Sequence, residues 1–265
     1  MKLAILDGTG KKVGDFDLQI SDSVRDDIFK KAFISENSYM KQSKGSDPLA
    51  GKKYAINLSK RRKHLRTTYG RGGSRTPKKV MWGRGTQFRM VGAFAPNTVG
   101  GRKAHPPKAS KIIIKNINYK EWVKALRIGL IASFDKKLVQ NNGQKIPESY
   151  PFVLSNDFEK VAKTKDVKVS LDKLGFVDEI ERTAIKKIKA GRGKMRNRKY
   201  KVKRGPLLVV SSIESPVRLS ARNIQGFEVL TPEALIVSDF GMSEKPGRVV
   251  LFTENALKEF LEVMK

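Results

Sequence analysis

The sequence predicts an α/β fold in which a mostly parallel sheet is flanked by helices and a long, extended basic loop is inserted. Two observations support this prediction. Short apolar segments alternate along much of the chain with segments of helical periodicity, the order expected of a sheet covered by helices on both faces. Between residues 44 and 111 this alternation stops, and glycine and basic residues replace it.

The individual elements are predicted from local patterns. Residues 7–10 form a hairpin turn, and Asn118 with Glu121 resembles a capping box that opens a helix. Strands are predicted at 2–6, 13–18, 152–154, 207–210, 227–230 and 249–252. Helices are predicted at 24–39, 118–139, 177–188 and 256–264, with further starts near 158 and at the Ser-Pro and Thr-Pro pairs 215–216 and 231–232.

The net charge of +29 is concentrated in two segments of the 265-residue chain. Residues 44–111 contain eighteen Lys or Arg and one acid, Asp47, and residues 186–204 contain eleven basic residues and no acid. The rest of the chain is nearly neutral. We therefore predict a discontinuous globular body, 1–43 with 112–265, a loop insertion at 44–111 and a second basic segment at 186–204 within the body. So large a charge predicts a polyanionic partner.

The insertion has the composition of an RNA-binding arm. It contains ten of the 22 glycines, and its aromatic residues are scattered among arginines. Glycine lets a backbone approach a surface closely, while aromatic rings and guanidinium planes stack on unpaired bases. Such a segment is not expected to order by itself, because it has too little apolar surface to bury. The alternative is a disordered, solvated loop whose aromatic residues are incidental.

The second basic segment follows a predicted helix C-terminus, where cations are favoured, and ends at Gly205-Pro206 before a buried strand. Because packed elements hold both its ends, it is expected to be partly preorganised. A nuclear localisation signal is the competing interpretation. The predicted RNA-binding residues of both segments are Lys60, Arg61, Arg62, Lys63, His64, Arg66, Tyr69, Arg71, Arg75, Lys78, Lys79, Trp82, Arg84, Phe88, Arg89, Arg102, Lys103, His105, Lys108, Lys111, Arg192, Lys194, Arg196, Arg198, Lys199, Lys201, Lys203 and Arg204.

Several classes of chemistry are excluded or disfavoured. The chain has no cysteine and only two histidines, so we predict no disulfide, no metal site, no cofactor and no catalytic residue. Asp7 after a strand could be a phosphatase-type nucleophile or part of a phosphate loop, but it lacks a second carboxylate and the required glycine spacing. Both histidines lie among positive charges and neither has a carboxylate or serine beside it in the sequence, so RNA contact is favoured over acid–base catalysis. No apolar run is long enough for a membrane helix, and the acidic Asp7 argues against a secretory signal.

At three motifs the sequence resembles a known family, that of large-subunit ribosomal protein four (the universal "L four" family), in its archaeal and eukaryotic form. Two motifs are highly specific: Gly101-Arg102-Lys103-Ala104-His105-Pro106-Pro107-Lys108-Ala109 and Ala190-Gly191-Arg192-Gly193-Lys194-Met195-Arg196-Asn197-Arg198. The third is Arg222-Asn223-Ile224 with Gly226, following Arg204-Gly205-Pro206. The absence of a lysine-rich extension after Lys265 favours the archaeal form.

The resemblance implies a structural constituent of the large ribosomal subunit, located in the cytoplasm on the ribosome. It implies that the protein binds large-subunit ribosomal RNA and neighbouring ribosomal proteins, with its globular α/β domain on the solvent side of the subunit. It also implies that the loop penetrates the RNA, supports assembly and helps line the exit tunnel near the nascent peptide. The implied tunnel-proximal loop tip is Tyr69, Gly70, Arg71, Gly72, Gly73, Ser74, Arg75 and Thr76.

Two alternatives come from other functional classes. One is an RNA-modifying or RNA-cleaving enzyme with a basic guiding arm, which would need a cofactor loop or a convergent acid/base set. The other is a regulator of messenger RNA, a role that could coexist with a structural one.

Overall fold

The computed structural model describes residues 1–20, 23–56, 59–65 and 67–264. The chain divides into two compact units. The first, called the body below, is Met1–Met40 with Ile114–Lys265, and the second, called the insertion, is Lys41–Ile113. Each unit is described by itself.

The fold is mixed α/β, with helices and strands distributed along the body and strands in the insertion. The strands are β1 (Lys2–Leu6), β2 (Lys12–Asp17), β3 (Lys78–Arg84), β4 (Gln87–Gly92), β5 (Phe152–Leu154), β6 (Lys187–Ile188), β7 (Tyr200–Lys201), β8 (Leu207–Val209), β9 (Glu228–Leu230) and β10 (Val250–Phe252). The helices are α1 (Asp26–Tyr39), α2 (Tyr119–Phe134), α3 (Lys136–Asn141), α4 (Thr164–Lys173), α5 (Val177–Ala184), α6 (Pro216–Ala221) and α7 (Glu254–Val263).

The body contains two three-stranded sheets. In one, β1 pairs antiparallel with β2 and parallel with β5. In the other, β8 lies between β10 and β9 and pairs parallel with both. A parallel bridge between Leu154 and Thr253 links the ends of the two sheets. The α/β class is therefore confirmed, with mixed strand direction.

Two hydrophobic clusters cover opposite faces of these strands. Val250 and Phe252 of β10 belong to a cluster completed by α1, α2 and α7. Val249 and Leu251, the residues that alternate with them, belong to a second cluster completed by α4 and α6. Since successive strand residues point to opposite faces, burial on both sides explains why β8 and β10 are continuously apolar.

The predicted helix 118–139 is wrong in its length, since it is two helices. Asp135 is extended between α2 and α3, and its carboxylate accepts a hydrogen bond from the Lys137 N–H at 2.9 Å. This local competition with the helix is typical of aspartate. The predicted capping box is also absent, because Asn118 makes no side-chain cap hydrogen bond.

The predicted helix 177–188 is likewise wrong at its C-terminal end. Helix α5 stops at Ala184, and the chain continues into β6. The apolar stripe misled the prediction: Ile185 and Ile188 are 53% and 61% exposed, while the polar Glu179 and Thr183 are buried. The elements predicted near 158 and at 231–232 are short 3₁₀ turns, Asn156–Lys160 and Pro232–Ala234, and α4 was not predicted.

The insertion contains regular structure that its composition did not predict. Strands β3 and β4 form an antiparallel hairpin of seven and six residues, with an irregular register between Val80 and Trp82. Backbone pairing between the two strands supplies part of its hydrogen bonding, and the half-buried Val80, Phe88 and Met90 supply apolar contact.

No helix in the described ranges is long and apolar enough to span a membrane. Those ranges also contain no cluster of three or more His, Cys, Asp or Glu side chains that could hold a metal ion.

Gly129 provides a test of the packing between α2 and the 3₁₀ turn at 237–240. A Cβ at Gly129 would lie 2.9 Å from Cβ of the buried Phe240. We expect Gly129→Ala to lower the free energy of unfolding by about 1–2 kcal/mol, measured with urea, because overpacking outweighs the higher helix propensity of alanine. The matched control is Gly14→Ala, whose Cβ would meet Ile5 at an ordinary 3.7 Å. Equal stability of the two variants would contradict this account of the packing.

Candidate nucleic-acid interface

Most predicted RNA-binding side chains of the insertion are exposed. Tyr69, Lys78, Lys79, Phe88 and Arg102 are half-buried, and Arg66 lies outside the described residues. The exposed ones are Lys60, Arg61, Arg62, Lys63, His64, Arg71, Arg75, Trp82, Arg84, Arg89, Lys103, His105, Lys108 and Lys111. The cations are therefore free to meet phosphates.

The β3–β4 hairpin places an aromatic ring beside a cation. Trp82 is 53% exposed, and Arg89 is its partner on the opposite strand. Directly opposed residues in an antiparallel pair have neighbouring side chains. An exposed indole next to a guanidinium can stack on a base while the cation contacts the adjacent phosphate.

Other aromatic residues of the insertion hold cations over their faces. Arg71 lies 5.7 Å from the ring centroid of Phe88, Arg75 5.7 Å from that of Tyr69, and Arg102 5.8 Å from that of Phe94. Lys79 lies 3.9 Å from the centroid of Tyr54, an aromatic residue that the sequence analysis did not select. Cation–π contacts restrict these side chains by holding each cation near the face of an aromatic ring. The aromatic character of Tyr54 within a basic segment was the signal available.

Residues 69–76 form a glycine-rich turn segment beside the hairpin. Gly70 and Gly72 have φ of +77° and +69°, which a side chain would disfavour. The Arg71–Phe88 contact joins this segment to β4. The backbone of the segment is thus close to the surface of the insertion and unobstructed by side chains at those two glycines.

The second basic segment forms a small hairpin, in which β6 pairs with β7. Between them the chain makes a 3₁₀ turn at Arg192–Arg196 and a left-handed residue, Asn197, at φ +58°. Six predicted RNA-binding side chains are exposed here: Arg192, Lys194, Arg196, Arg198, Lys199 and Lys201. Lys203 is half-buried. We call residues 186–203 the basic hairpin.

An ion pair on α5 fastens the two ends of the basic hairpin together. The Arg182 guanidinium donates to both carboxylate oxygens of the fully buried Glu179, at 2.7 and 2.6 Å. The same guanidinium donates to the Arg204 carbonyl oxygen at 2.7 Å. Arg182 precedes the hairpin and Arg204 follows it, so one side chain bridges its entry and exit.

The exit of the basic hairpin is held by a second, larger network. Arg204 donates to Glu228 at 2.9 Å, to Asp239 at 3.0 Å and to two backbone carbonyls. The fully buried Arg248 donates to the same Glu228 carboxylate at 2.6 Å. All three guanidinium nitrogens of Arg204 have partners inside the body, which gives this predicted RNA-binding residue a positioning role.

Burial and the neighbouring positive charges shift the pKa values of the carboxyl groups in this network in opposite directions. Burial acts to raise the pKa of Glu228, but the positive charges of Arg248 and Arg204 outweigh it and hold the pKa below the ordinary value. For Asp239 burial prevails, and its pKa is raised. Burial and the neighbouring Arg204 charge lower the pKa of Arg248 to about 10, so its guanidinium remains charged at neutral pH.

Comparison with known proteins identifies the family of the chain. The family model described as "Ribosomal protein L4/L1 family" matches residues 17–263. The chain belongs to this ribosomal protein L4/L1 family.

Archaeal relatives of this chain match nearly its whole length, and each carries the name "Large ribosomal subunit protein uL4". The protein of Nanoarchaeum equitans is 35% identical over 99% of this chain and 98% of its own length. The proteins of Sulfolobus acidocaldarius and Methanocaldococcus jannaschii are also each 35% identical, over 97% and 99% of this chain and 92% and 99% of their own lengths. The resemblance inferred from the motifs is therefore confirmed.

The Glu179–Arg182 pair offers a test of how this L4-family chain fixes its basic hairpin. We expect Glu179→Gln to lower the free energy of unfolding by about 3 kcal/mol in urea, because it leaves a poorly solvated guanidinium without its counter-charge. We also expect faster tryptic cleavage within residues 186–203. Glu181→Gln, on the same helix but exposed, is the control and should change neither quantity. Unchanged cleavage in Glu179→Gln would show that the pair does not restrain the hairpin.

Proposed function

We propose that this protein is a structural constituent of the large ribosomal subunit that binds large-subunit ribosomal RNA. Membership of the ribosomal protein L4/L1 family carries the proposal. The two basic segments support it physically, because phosphate contacts dominate the affinity of proteins for nucleic acids. The protein acts by binding and not by catalysis, and the alternative of an RNA-modifying or RNA-cleaving enzyme has no support from its relatives, which are named ribosomal proteins.

The division of labour follows the distribution of charge and packing. The nearly neutral body, residues 1–43 with 112–265, positions the protein and offers surfaces to neighbouring ribosomal proteins. The loop, residues 44–111, and the basic segment 186–204 contribute most of the RNA affinity through the side chains named above. The exposed cations neutralise phosphates, and Trp82 with its partner Arg89 stacks on splayed bases.

The loop penetrates the RNA and supports subunit assembly, with residues 69–76 near the exit tunnel and the nascent peptide. Glycines at the left-handed positions Gly70 and Gly72 support this placement, since an unobstructed backbone can pass close to RNA. The protein is located on cytoplasmic ribosomes.

The body provides a rigid platform for this role. Its two sheets act as one mostly parallel sheet, joined where β5 and β10 end. The parallel bridge between Leu154 and Thr253 supports this continuity, as does the shared burial of Val153 and Val250 in one hydrophobic cluster.

Sedimentation of a cell extract on a sucrose gradient tests the proposed function directly. We expect this protein to migrate with the large subunit in roughly stoichiometric amount at moderate and at high salt, as measured by mass spectrometry. Migration in the free fraction, or loss from ribosomes at modest salt, would contradict an integral role. It would bring the enzyme and messenger-RNA regulator alternatives forward.

Replacing residues 44–111 by a short Gly-Ser linker tests the contribution of the loop. The deletion removes 17 of the net charges. We therefore expect the slope of log affinity against log salt for ribosomal RNA to fall by about half, because that slope counts the phosphates neutralised. Both hydrophobic clusters lie in the body, so circular dichroism should show it still folded. Equal salt slopes with and without the loop would contradict the division of labour.

A further inference from the structure

The insertion contains a cleft whose apolar and acidic lining has no part in the proposed phosphate contacts. Its volume is about 420 Å³, and it lies between two arms of the insertion, residues 46–52 and 100–107. Pro48, Ala50, Pro106 and Pro107 contribute apolar surface, and Lys52, Arg102 and Lys103 contribute positive charge. We call it the interarm cleft. Concave sites of this size with a few polar groups are typical of small-ligand binding.

The shape of the interarm cleft is fixed by backbone and not by mobile side chains. Gly51 has φ +75°, and a Cβ there would lie 2.6 Å from the Arg102 nitrogen on the other arm. A Cβ at Gly101 would lie 2.0 Å from the Ala95 carbonyl oxygen. The Arg102 N–H donates to the Phe94 carbonyl at 3.0 Å. The two arms therefore touch through glycines, and the cleft beside that contact is preformed.

One acidic side chain lines this cleft, and it is the single acid between residues 44 and 111. The Asp47 carboxylate accepts a hydrogen bond from the Leu49 N–H at 2.8 Å and pairs with the Lys53 ammonium at 2.5 Å. These two partners hold the pKa of Asp47 below its ordinary value. A carboxylate repels phosphate, so phosphate contact does not explain an acid in this position.

The chemistry of a carboxylate selects among the four bases. An ionised carboxylate only accepts hydrogen bonds, and its two oxygens suit two adjacent donors. The Watson–Crick edge of guanine offers such a pair, N1–H and N2–H. Adenine and cytosine place one amino donor beside an acceptor, and uracil places one donor between two acceptors. Unpaired bases in RNA are commonly recognised at this edge while their faces are covered.

We propose that the interarm cleft binds one unpaired guanine base of RNA, with Asp47 accepting hydrogen bonds from its Watson–Crick edge. The proline and alanine surfaces cover the faces of the base. Lys52, Arg102 and Lys103 contact the flanking phosphates. This inference rests on the proposed RNA-binding function and adds base selectivity to it, in an arm whose other contacts are indifferent to sequence.

Fluorescence anisotropy with the full chain at moderate salt tests the proposal. The probes are two six-nucleotide uridine oligomers, one with a single central guanosine and one with a single central adenosine. We expect the guanosine oligomer to bind about five- to tenfold more tightly, the lower part of the range for paired base-edge hydrogen bonds. Inosine, which lacks the N2 amino group, should bind with intermediate affinity.

Variants separate base recognition from charge. Asp47→Asn keeps the size of the side chain and an acceptor for Leu49 but loses one of the two acceptor oxygens, so the guanosine preference should vanish. The matched control Lys53→Gln removes the partner of Asp47 and keeps the carboxylate, so the preference should remain. Because both changes alter net charge, the readout is the ratio of affinities for the two oligomers.

The outcomes also distinguish this inference from the function on which it rests. Tight, salt-dependent binding with equal affinity for both oligomers would overturn the guanine site and leave RNA binding standing. A guanosine preference that survives Asp47→Asn would likewise overturn the role of Asp47. Absence of salt-dependent binding to either oligomer would overturn the guanine site, and the proposed function would then be judged separately by whether the protein migrates with the large subunit.

Discussion

Twenty-eight of the 29 net positive charges lie in 87 residues, so the basic side chains of each segment repel one another over the short distances between them. Repulsion of this kind favours an expanded chain, and the structure opposes it with contacts that need no large core. In the insertion these contacts are cation–π pairs, a backbone-paired hairpin and the glycine contact between residues 51 and 101. Such contacts fix local geometry while the charges stay exposed. A bound polyanion then neutralises the repulsion between the basic side chains, and the local structure of the segment is already formed.

The body holds the strongly basic hairpin, and it must remain folded despite the charge repulsion within that hairpin. Its strands β5, β8 and β10 are buried on both faces, and the resulting hydrophobic clusters supply the stability that the basic segments lack. The polar networks at Glu179 and Glu228 join that stable core to the ends of the hairpin. Buried ion pairs of this type contribute little net stability compared with apolar packing, yet breaking them is costly. Their role is thus to define position.

Most elements of the body could be predicted from the sequence because buried strands and helix faces consist of apolar residues at regular spacing. The continuously apolar strands β8 and β10 are examples, and so is helix α7, whose apolar residues recur at helical spacing directly after β10.

The C-terminal end of α5 could not be predicted, because Ile185 and Ile188 continue its helical spacing although both are exposed. Glu179 is paired with Arg182 on the same helix, but it also accepts a hydrogen bond from the Lys145 N–H, 34 residues earlier, which no local window contains. The β3–β4 hairpin was missed because basic residues and glycine interrupt the apolar pattern of its two strands. The exposure of the predicted cations followed from composition, whereas the internal partners of Arg204 depend on residues 24 to 37 positions away.

A distinction between exposed and fixed cations follows from these contacts. Side chains such as Arg61 and Lys194 are exposed, so in the proposed complex they adapt to any phosphate within reach and contribute affinity without defining register. Arg182, Arg204 and Arg102 are held by partners inside the protein, so their positions are set before RNA arrives. Ordering the exposed side chains costs conformational entropy on binding, and the fixed ones have already lost theirs. We therefore propose that affinity for RNA resides mainly in the exposed cations, while the fixed ones hold the segments that carry those cations in position.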